Sequence, residues 1–165
     1  MKTLYIIRHA KSSWDNLLLD DLSRPLNERG KLDAPRMAKR LKEKKVVPDL
    51  MLTSPAKRAL ETCKRIADIL NYNDKKIKIE NELYHADLDQ LLSVVQSIKD
   101  KHDVVMIFGH NPGLTEFVNE LGNQNIDNLS TCGIVCYEFA IDSWQDVTYG
   151  KGKLRFHDYP KNKND

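Results

Sequence analysis

Four apolar residues, Leu4-Tyr5-Ile6-Ile7, stop abruptly at Arg8-His9 near the start of the chain. A short apolar run without polar alternation reads as a strand buried on both faces and bounded by loop residues. Such a strand needs cover on both sides. In an open α/β sheet, ligands bind just outside the carboxyl ends of the strands. Arg8 and His9 stand at that edge. A histidine there can act as a nucleophile or a proton carrier, and an adjacent guanidinium can hold an anion. By itself the pair is equally a strand end that carries two polar residues, so the rest of the chain has to decide.

Residues 9–26 are polar and rich in aspartate (Asp15, Asp20, Asp21), and they predict a loop, with at most a short turn. A connection of that length in a compact domain is often functional. A helix is predicted from Asn27 to about Lys44, with Asn27 as its N-cap. Pro35 leaves a second start open, in which Asp33 caps a helix that holds Pro35 in its first turn. Residues 49–53 predict a second strand. Ser54-Pro55 then predicts a helix start, serine as N-cap and proline at the first helical position. Ala59, Leu60, Cys63, Ile66, Ala67 and Leu70 form its buried stripe, while Arg58 and Thr62 share another face. A third strand is expected at 76–80 and an amphipathic helix on Leu88, Leu91, Leu92, Val95 and Ile98. Asp103 to Phe108 carries five consecutive apolar residues and predicts a central strand. Gly109-His110-Asn111-Pro112-Gly113 follows it, and then a helix to about Leu121. Residues 132–140 and 153–158 predict strands toward a sheet edge. The alternation gives an α/β fold of three layers: a mostly parallel central sheet with helices on both faces. One domain over 1–165 is expected, with a frayed tail at 160–165.

Composition narrows the partners. A net charge of +2 among 165 residues gives no reason to expect nucleic acid or a membrane surface. The basic run Lys39, Arg40, Lys42, Lys44, Lys45 reads as the solvated end of a helix. The three cysteines, Cys63, Cys132 and Cys136, make neither a Cys-x-x-Cys pair nor an even set. They predict reduced thiols in the cytoplasm and no zinc site. No stretch is apolar enough for a signal peptide or a membrane span.

Three segments then share one design: a strand, a basic residue, and a loop or helix start. Arg8-His9 follows the first strand, Arg58 lies in the first turn after the second, and His110 follows the strand 103–108. Right-handed crossovers bring the ends of parallel strands to one edge. Two arginines and two histidines converging beside helix N-termini form an anion site, and phosphate suits it best.

With these segments in hand, the chain resembles the histidine phosphatase, or phosphoglycerate-mutase-like, superfamily. Arg8-His9-Ala10 looks like its signature tripeptide, Ser54-Pro55-Ala56-Lys57-Arg58-Ala59-Leu60-Glu61-Thr62 like its second motif, and Gly109-His110 like its third. Arg8-His9-Ala10-Lys11-Ser12, Arg24-Pro25-Leu26-Asn27-Glu28-Arg29-Gly30 and Gly109-His110-Asn111-Pro112-Gly113-Leu114 resemble the small SixA-type phosphohistidine phosphatases. The resemblance implies His9 as nucleophile through a covalent phosphohistidine. It also implies Arg8, Arg58 and His110 as ligands of the phosphoryl oxygens, with Ser12 beside them, and no cofactor or metal. Positioned cations can stabilise phosphoryl transfer in this way. Attack requires a neutral ring on His9, its other nitrogen donating to a backbone carbonyl.

The sequence also departs from the larger relatives, which use a carboxylate to protonate the leaving oxygen. Glu82 is the nearest candidate by motif position, with His85 and Asp15 behind it. Asp15 stands where many relatives have asparagine. The short chain carries no large insert to cap the pocket, which implies an open site able to admit a phosphohistidine borne on a protein. A phosphohistidine also lessens the need for a strong acid, because a protonated imidazole leaves easily. The expected function is therefore a phosphatase of protein phosphohistidine. The alternatives are a phosphatase of small phosphomonoesters, such as a sugar phosphate or nucleotide, and a phosphate- or phosphoprotein-binding module without turnover.

Overall fold

The structure, a computed structural model, describes residues 1–162. Six strands form one sheet: β1 (Lys2–Arg8), β2 (Leu50–Thr53), β3 (Lys78–Ile79), β4 (Val104–Gly109), β5 (Ile134–Phe139) and β6 (Lys153–Asp158). Their order is β3-β2-β4-β1-β5-β6. The first four run parallel, whereas β5 is antiparallel to β1 and β6 antiparallel to β5. Four helices cover it: α1 (Glu28–Glu43), α2 (Lys57–Ile69), α3 (Leu88–Gln96) and α4 (Gly113–Gly122).

The pleat explains the three layers. Leu4 and Ile6 of β1 face one side and pack with Leu52, Val105 and Ile107 against Leu91 and Val95 of α3 and Phe117 and Leu121 of α4. Tyr5 and Ile7 face the other, with Met51, Met106 and Phe108, against Met37 and Leu41 of α1 and Cys63 and Ile66 of α2. A strand covered on both faces has no polar alternate, which is why β1 and β4 read as unbroken apolar runs.

Several boundaries differ from the sequence reading. Asn27 caps α1, its side chain accepting from Gly30 N at 2.8 Å, and Pro35 lies inside the helix. Asp33 starts no helix: it is buried, and its carboxylate takes Arg29 Nε at 3.1 and 3.2 Å. Helix α2 begins two residues beyond the Ser54-Pro55 start, after Ala56, which has no capping side chain. The Ser54 hydroxyl accepts from Ala56 N at 3.2 Å, a turn short of a helix cap, and also meets the ring of His110. Strand β3 keeps only two residues, because Asn73 caps a 3₁₀ turn over Asp74–Lys76 that takes up the stretch before it. Only β6 is an edge strand at its end of the sheet; β5 lies between β1 and β6.

In the basic run, Arg40 is not a solvated residue. It is buried, and it donates to the carboxylate of Asp158 and the carbonyls of Tyr159 and Pro160. Those contacts hold the start of the stretch expected to fray: Pro160 is buried, and Asn162 donates to Asp158. Residues 163–165 of that stretch lie outside the described residues. Among the described residues, no helix is long and apolar enough to cross a membrane.

Candidate active site

Register builds the site. Ile7, Phe108 and Thr53 lie level across β1, β4 and β2, so the chain leaves all three strands at one edge. His9 N donates to the Gly109 carbonyl and Ser54 N to that of Phe108, which extends the ladder just past the strand ends. Arg8-His9, Ser54 and His110 emerge there together. Arg58 comes from the first turn of α2. Thr62, one turn on, ties that turn to β1: its hydroxyl donates to the Arg58 carbonyl at 2.7 Å and accepts from Ala10 N at 3.0 Å.

The His9 ring is buried, and its Nδ1 lies 2.7 Å from the Ala10 carbonyl. A carbonyl has no proton to give, so Nδ1 carries the hydrogen and Nε2 keeps its lone pair. Burial pushes the His9 pKa down, the Ala10 hydrogen bond pushes it back up, and Arg58, Arg8 and Arg24 lower it further, to about 4. The ring is therefore neutral near pH 7. His110 has its ring centroid 5.2 Å from that of His9. Its Nε2 meets Ser54 Oγ at 2.7 Å, and its Nδ1 lies 3.4 Å from Arg58 Nη2. Burial, then His9, Arg58 and His85, bring its pKa down to about 3 against the opposing pull of Asp21. The Ser54 hydroxyl can donate or accept. When it donates to Nε2, the Nδ1–H of His110 faces Arg58 Nη2, a second donor, and an anion can accept from both.

Arg8 Nη1 donates to the Leu129 carbonyl at 3.0 Å, while the Nε atoms of Arg8 and Arg58 are buried without a partner among the described residues. Both guanidinium groups line the cleft, and their charge suits it to an anion. Burial, then Arg58, lowers the pKa of Arg8.

One wall of the cleft is the loop between β1 and α1. Asp21, in a 3₁₀ turn over Asp21–Ser23, accepts from Arg58 through both its backbone carbonyl (2.7 Å) and its Oδ2 (2.9 Å). The Tyr84 hydroxyl donates to the same Oδ2 at 2.5 Å, and Arg24 Nε donates to Oδ1 at 3.2 Å. Burial raises the Asp21 pKa, but the hydrogen bonds from Tyr84, Arg58 and Arg24 prevail and hold it well below the usual carboxylate range. Arg24 also donates to Ser12 Oγ at 2.7 Å and stacks on Trp14, its guanidinium carbon 3.5 Å from the ring centroid. The resulting cleft, about 490 Å³, opens onto Arg8, His9, Arg24, Arg58, His110 and Asp21, with Ser12, Trp14 and His85 at its sides.

Residues 4–103 match the histidine phosphatase superfamily (branch 1). The chain belongs to this superfamily. An uncharacterised chloroplastic protein of Arabidopsis thaliana is 32% identical over 154 residues, covering 88% of this chain and 70% of that one. Phosphoglycerate mutase 1 of Saccharomyces cerevisiae is 39% identical over 64 residues, which span 38% of this chain and 26% of the mutase. The protein histidine phosphatase SixA, solved with tungstate, superposes with a TM-score of 0.81 at 24% identity, over 96% of this chain and 97% of its own. A protein from Agrobacterium tumefaciens that carries the SixA name superposes with a TM-score of 0.76 at 25% identity, covering 96% and 98%. By family and by fold this is a histidine phosphatase, on the phosphoglycerate-mutase-like architecture.

Five of the residues singled out in the sequence, Arg8, His9, Ser12, Arg58 and His110, line this one cleft of the histidine phosphatase fold. Glu82 does not. It is exposed in a 3₁₀ turn over Asn81–Leu83 that buries Leu83 instead, so the carboxylate nearest by motif position is kept out of the cleft. Asp15 is also exposed and away from the cleft lining, which removes its charge from a bound phosphate. His85 does reach the lining, its backbone at φ 55° and its ring centroid 3.9 Å from that of Tyr84. Asp21, Arg24 and Tyr84 were not among the expected site residues. The one available signal was Arg24, a charged residue ahead of a proline in a motif already noted; the partners of Asp21 lie up to 63 positions away and leave no local trace.

Proposed function

We propose that this histidine phosphatase hydrolyses phosphohistidine in a protein substrate, with His9 as the phosphoryl acceptor and no cofactor. The observation that carries the reading is the His9 tautomer. Its Nδ1–H is bound to the Ala10 carbonyl, so Nε2 presents a lone pair to a cleft lined by three guanidinium groups, those of Arg8, Arg24 and Arg58. In the first step Nε2 forms a bond to phosphorus while the P–N bond of the substrate breaks, its electron pair leaving on the imidazole. In the second, water attacks phosphorus and the pair of the Nε2–P bond returns to His9. Orthophosphate keeps the water oxygen with one proton, and the other proton passes to solvent. The guanidinium groups and His110 carry the charge spread over the phosphoryl oxygens.

The wall of the cleft bears on the leaving group. Asp21 is the one carboxylate among the described residues that line the cleft, and it is held ionised, so it cannot protonate an alkoxide. A protonated phosphoimidazole needs no such acid, whereas an alkyl phosphate does. The three cysteines are free and buried, which supports a reducing, cytoplasmic setting.

The test is a panel of a histidine-phosphorylated protein, sugar phosphates and nucleotides, assayed with wild type and His9→Ala. Phosphohistidine should turn over fastest, His9→Ala should be inactive, and acid-labile phosphate should be trapped on His9 of the wild type. Sugar phosphates turned over faster by orders of magnitude would replace the substrate. Equal rates in His9→Ala would remove His9 as nucleophile. Binding without turnover of any substrate would leave a phosphate-binding module.

A further inference from the structure

The placement of Asp21 is unfavourable for a plain phosphate site. It sets an ionised carboxylate against the guanidinium groups of Arg58 and Arg24, in a cleft otherwise suited to an anion. It takes both terminal nitrogens of Arg58, one with its backbone carbonyl and one with its side chain. Any incoming dianion meets that negative charge. A substrate that brought its own positive charge would offset it.

We propose that Asp21 selects a phosphorylated imidazole over a phosphate ester by accepting a hydrogen bond from the protonated ring nitrogen that does not carry phosphorus. The inference rests on the phosphohistidine reading and deepens it. Three observations support it. Among the described residues, Oδ2 accepts two hydrogen bonds, from Arg58 and Tyr84, and Oδ1 accepts one, from Arg24 Nε at 3.2 Å. A carboxylate oxygen has room for a second. The side chain is 40% exposed and lines the cleft, so a ring N–H held there can reach the carboxylate. And Asp21 lies one guanidinium from the reaction: Arg58 Nη2 is 2.9 Å from Asp21 Oδ2 and 3.4 Å from His110 Nδ1.

The chemistry follows from the ring. With the second nitrogen protonated, the phosphoimidazolium loses its phosphoryl group to His9 Nε2. The P–N electron pair stays on the departing nitrogen, the proton stays where it was, and neutral imidazole leaves. A carboxylate beside that N–H favours its protonated form and keeps the good leaving group present at higher pH. An ester has no such proton and meets only repulsion. The charged and titratable groups facing Asp21 are Arg24 from its own loop, Arg58 from α2 and Tyr84 from the segment before α3, with His110 beyond Arg58. The two arginines and Tyr84 hold the carboxylate ionised, so the pH dependence falls on the substrate ring.

The experiment compares wild type with Asp21→Asn, using a chemically phosphorylated histidine peptide and p-nitrophenyl phosphate, from pH 5 to 9. Orthophosphate binding is measured by calorimetry to show that the cleft is intact. Asp21→Asn should lower kcat/KM for phosphohistidine roughly 10- to 100-fold at pH 8 and shift its alkaline limb to lower pH. It should raise kcat/KM for the ester roughly 2- to 10-fold and tighten orthophosphate binding, because a repelling charge is gone. A ratio of the two kcat/KM values that stays within about 3-fold of wild type overturns the proposal. So does a parallel loss on both substrates with weakened orthophosphate binding, which would mean that Asp21 only holds Arg58. A wild type that cleaves the ester and not phosphohistidine instead overturns the functional reading beneath it, and that result appears without the variant.

Discussion

His9, Arg58 and His110, on the floor of the cleft, keep 7%, 4% and 8% of their surface. Trp14, Leu17 and Leu18, in the loop that forms its wall, keep 69%, 89% and 95%. The floor is fixed from behind. Strand register sets where the chain leaves the sheet, and Thr62, Ser54 and the Ala10 carbonyl orient the side chains. The wall is anchored at its ends, by buried Leu26 and the bond from Asn27 N to the Lys11 carbonyl, but its outer part has little behind it. That part is held by Asp21 on Arg58 in front and, within the loop, by Arg24 on Ser12 and Trp14. Chemistry that must be rigid is placed on elements, and selection among substrates is placed on a loop that leans on that chemistry.

Arg58 belongs to both regions, so Arg58→Ala should have the largest effect after loss of the nucleophile itself. It removes a cation from the phosphoryl site and the anchor of Asp21 at once. We expect kcat/KM to fall by roughly 10²- to 10⁴-fold, where Arg24→Ala, which takes one cation from the wall and leaves Arg8 and Arg58 in place, costs roughly 10-fold. Steady-state kinetics on one substrate decides; equal losses in the two variants would erase the distinction between floor and wall.

Between pH 7 and 4.5, acid should act on the floor and spare the wall. Unfolded, each histidine ring takes a proton near pH 6.5; folded, His9 resists down to about 4 and His110 to about 3. Below 6.5 the unfolded state therefore binds more protons, and stability present above that pH is lost progressively as pH falls toward the folded values. The pair should contribute on the order of a few kcal/mol over that window. Urea midpoints at pH 7, 5.5 and 4.5 should drop in wild type and drop less in His9→Asn and His110→Asn. A wild-type midpoint that does not move between pH 7 and 4.5 would contradict the burial argument. The nucleophile should also remain neutral, and the enzyme active, well below pH 6.5.

Much of the floor was legible in the sequence, because each of its residues follows a punctuation mark. Arg8-His9 ends an apolar run, His110 follows Gly109 at the end of another, and Arg58 sits just inside a helix that a Ser-Pro pair announces. Parallel strands did the rest. Where a local signature competed with a long-range bond, the reading failed. Ser54 looks like an N-cap, but its hydroxyl, which accepts from Ala56 N, is also held by His110 56 positions along the chain, and the helix starts later. Glu82 stands at the right motif position, but position in a motif does not say which way a 3₁₀ turn faces. Asp21 lay among several loop aspartates, and only the folded chain distinguishes the one that meets two arginines and a tyrosine.

Gly30 joins the two regions in a way that can be broken by a single methyl group. It lies in the first turn of α1, and a Cβ there would run into the carbonyl of Lys11, whose oxygen accepts from Asn27 N at 2.9 Å. Helix and loop meet with no room between backbones. Gly30→Ala should therefore cost roughly 1–3 kcal/mol, despite the better helix propensity of alanine. A gain in stability by thermal melting would mean that the loop yields freely and that the wall is not anchored at this end.

The smallest effects should come from the exposed part of the wall. Trp14 contributes chiefly its contact with the Arg24 guanidinium, and a cation–π pair at an exposed ring is worth about 0.5–1 kcal/mol. Trp14→Ala should lower stability by no more than that. Leu17→Ser and Leu18→Ser should fall within about 0.5 kcal/mol of wild type, since neither side chain is covered. Urea melts of the three variants test this. If the two leucine variants are as stable as the parent, their apolar surface serves nothing inside the folded chain. If either loses 2 kcal/mol or so, the loop is packed more tightly than its exposure allows, and the contrast between a buried floor and a free-standing wall fails at its outer end.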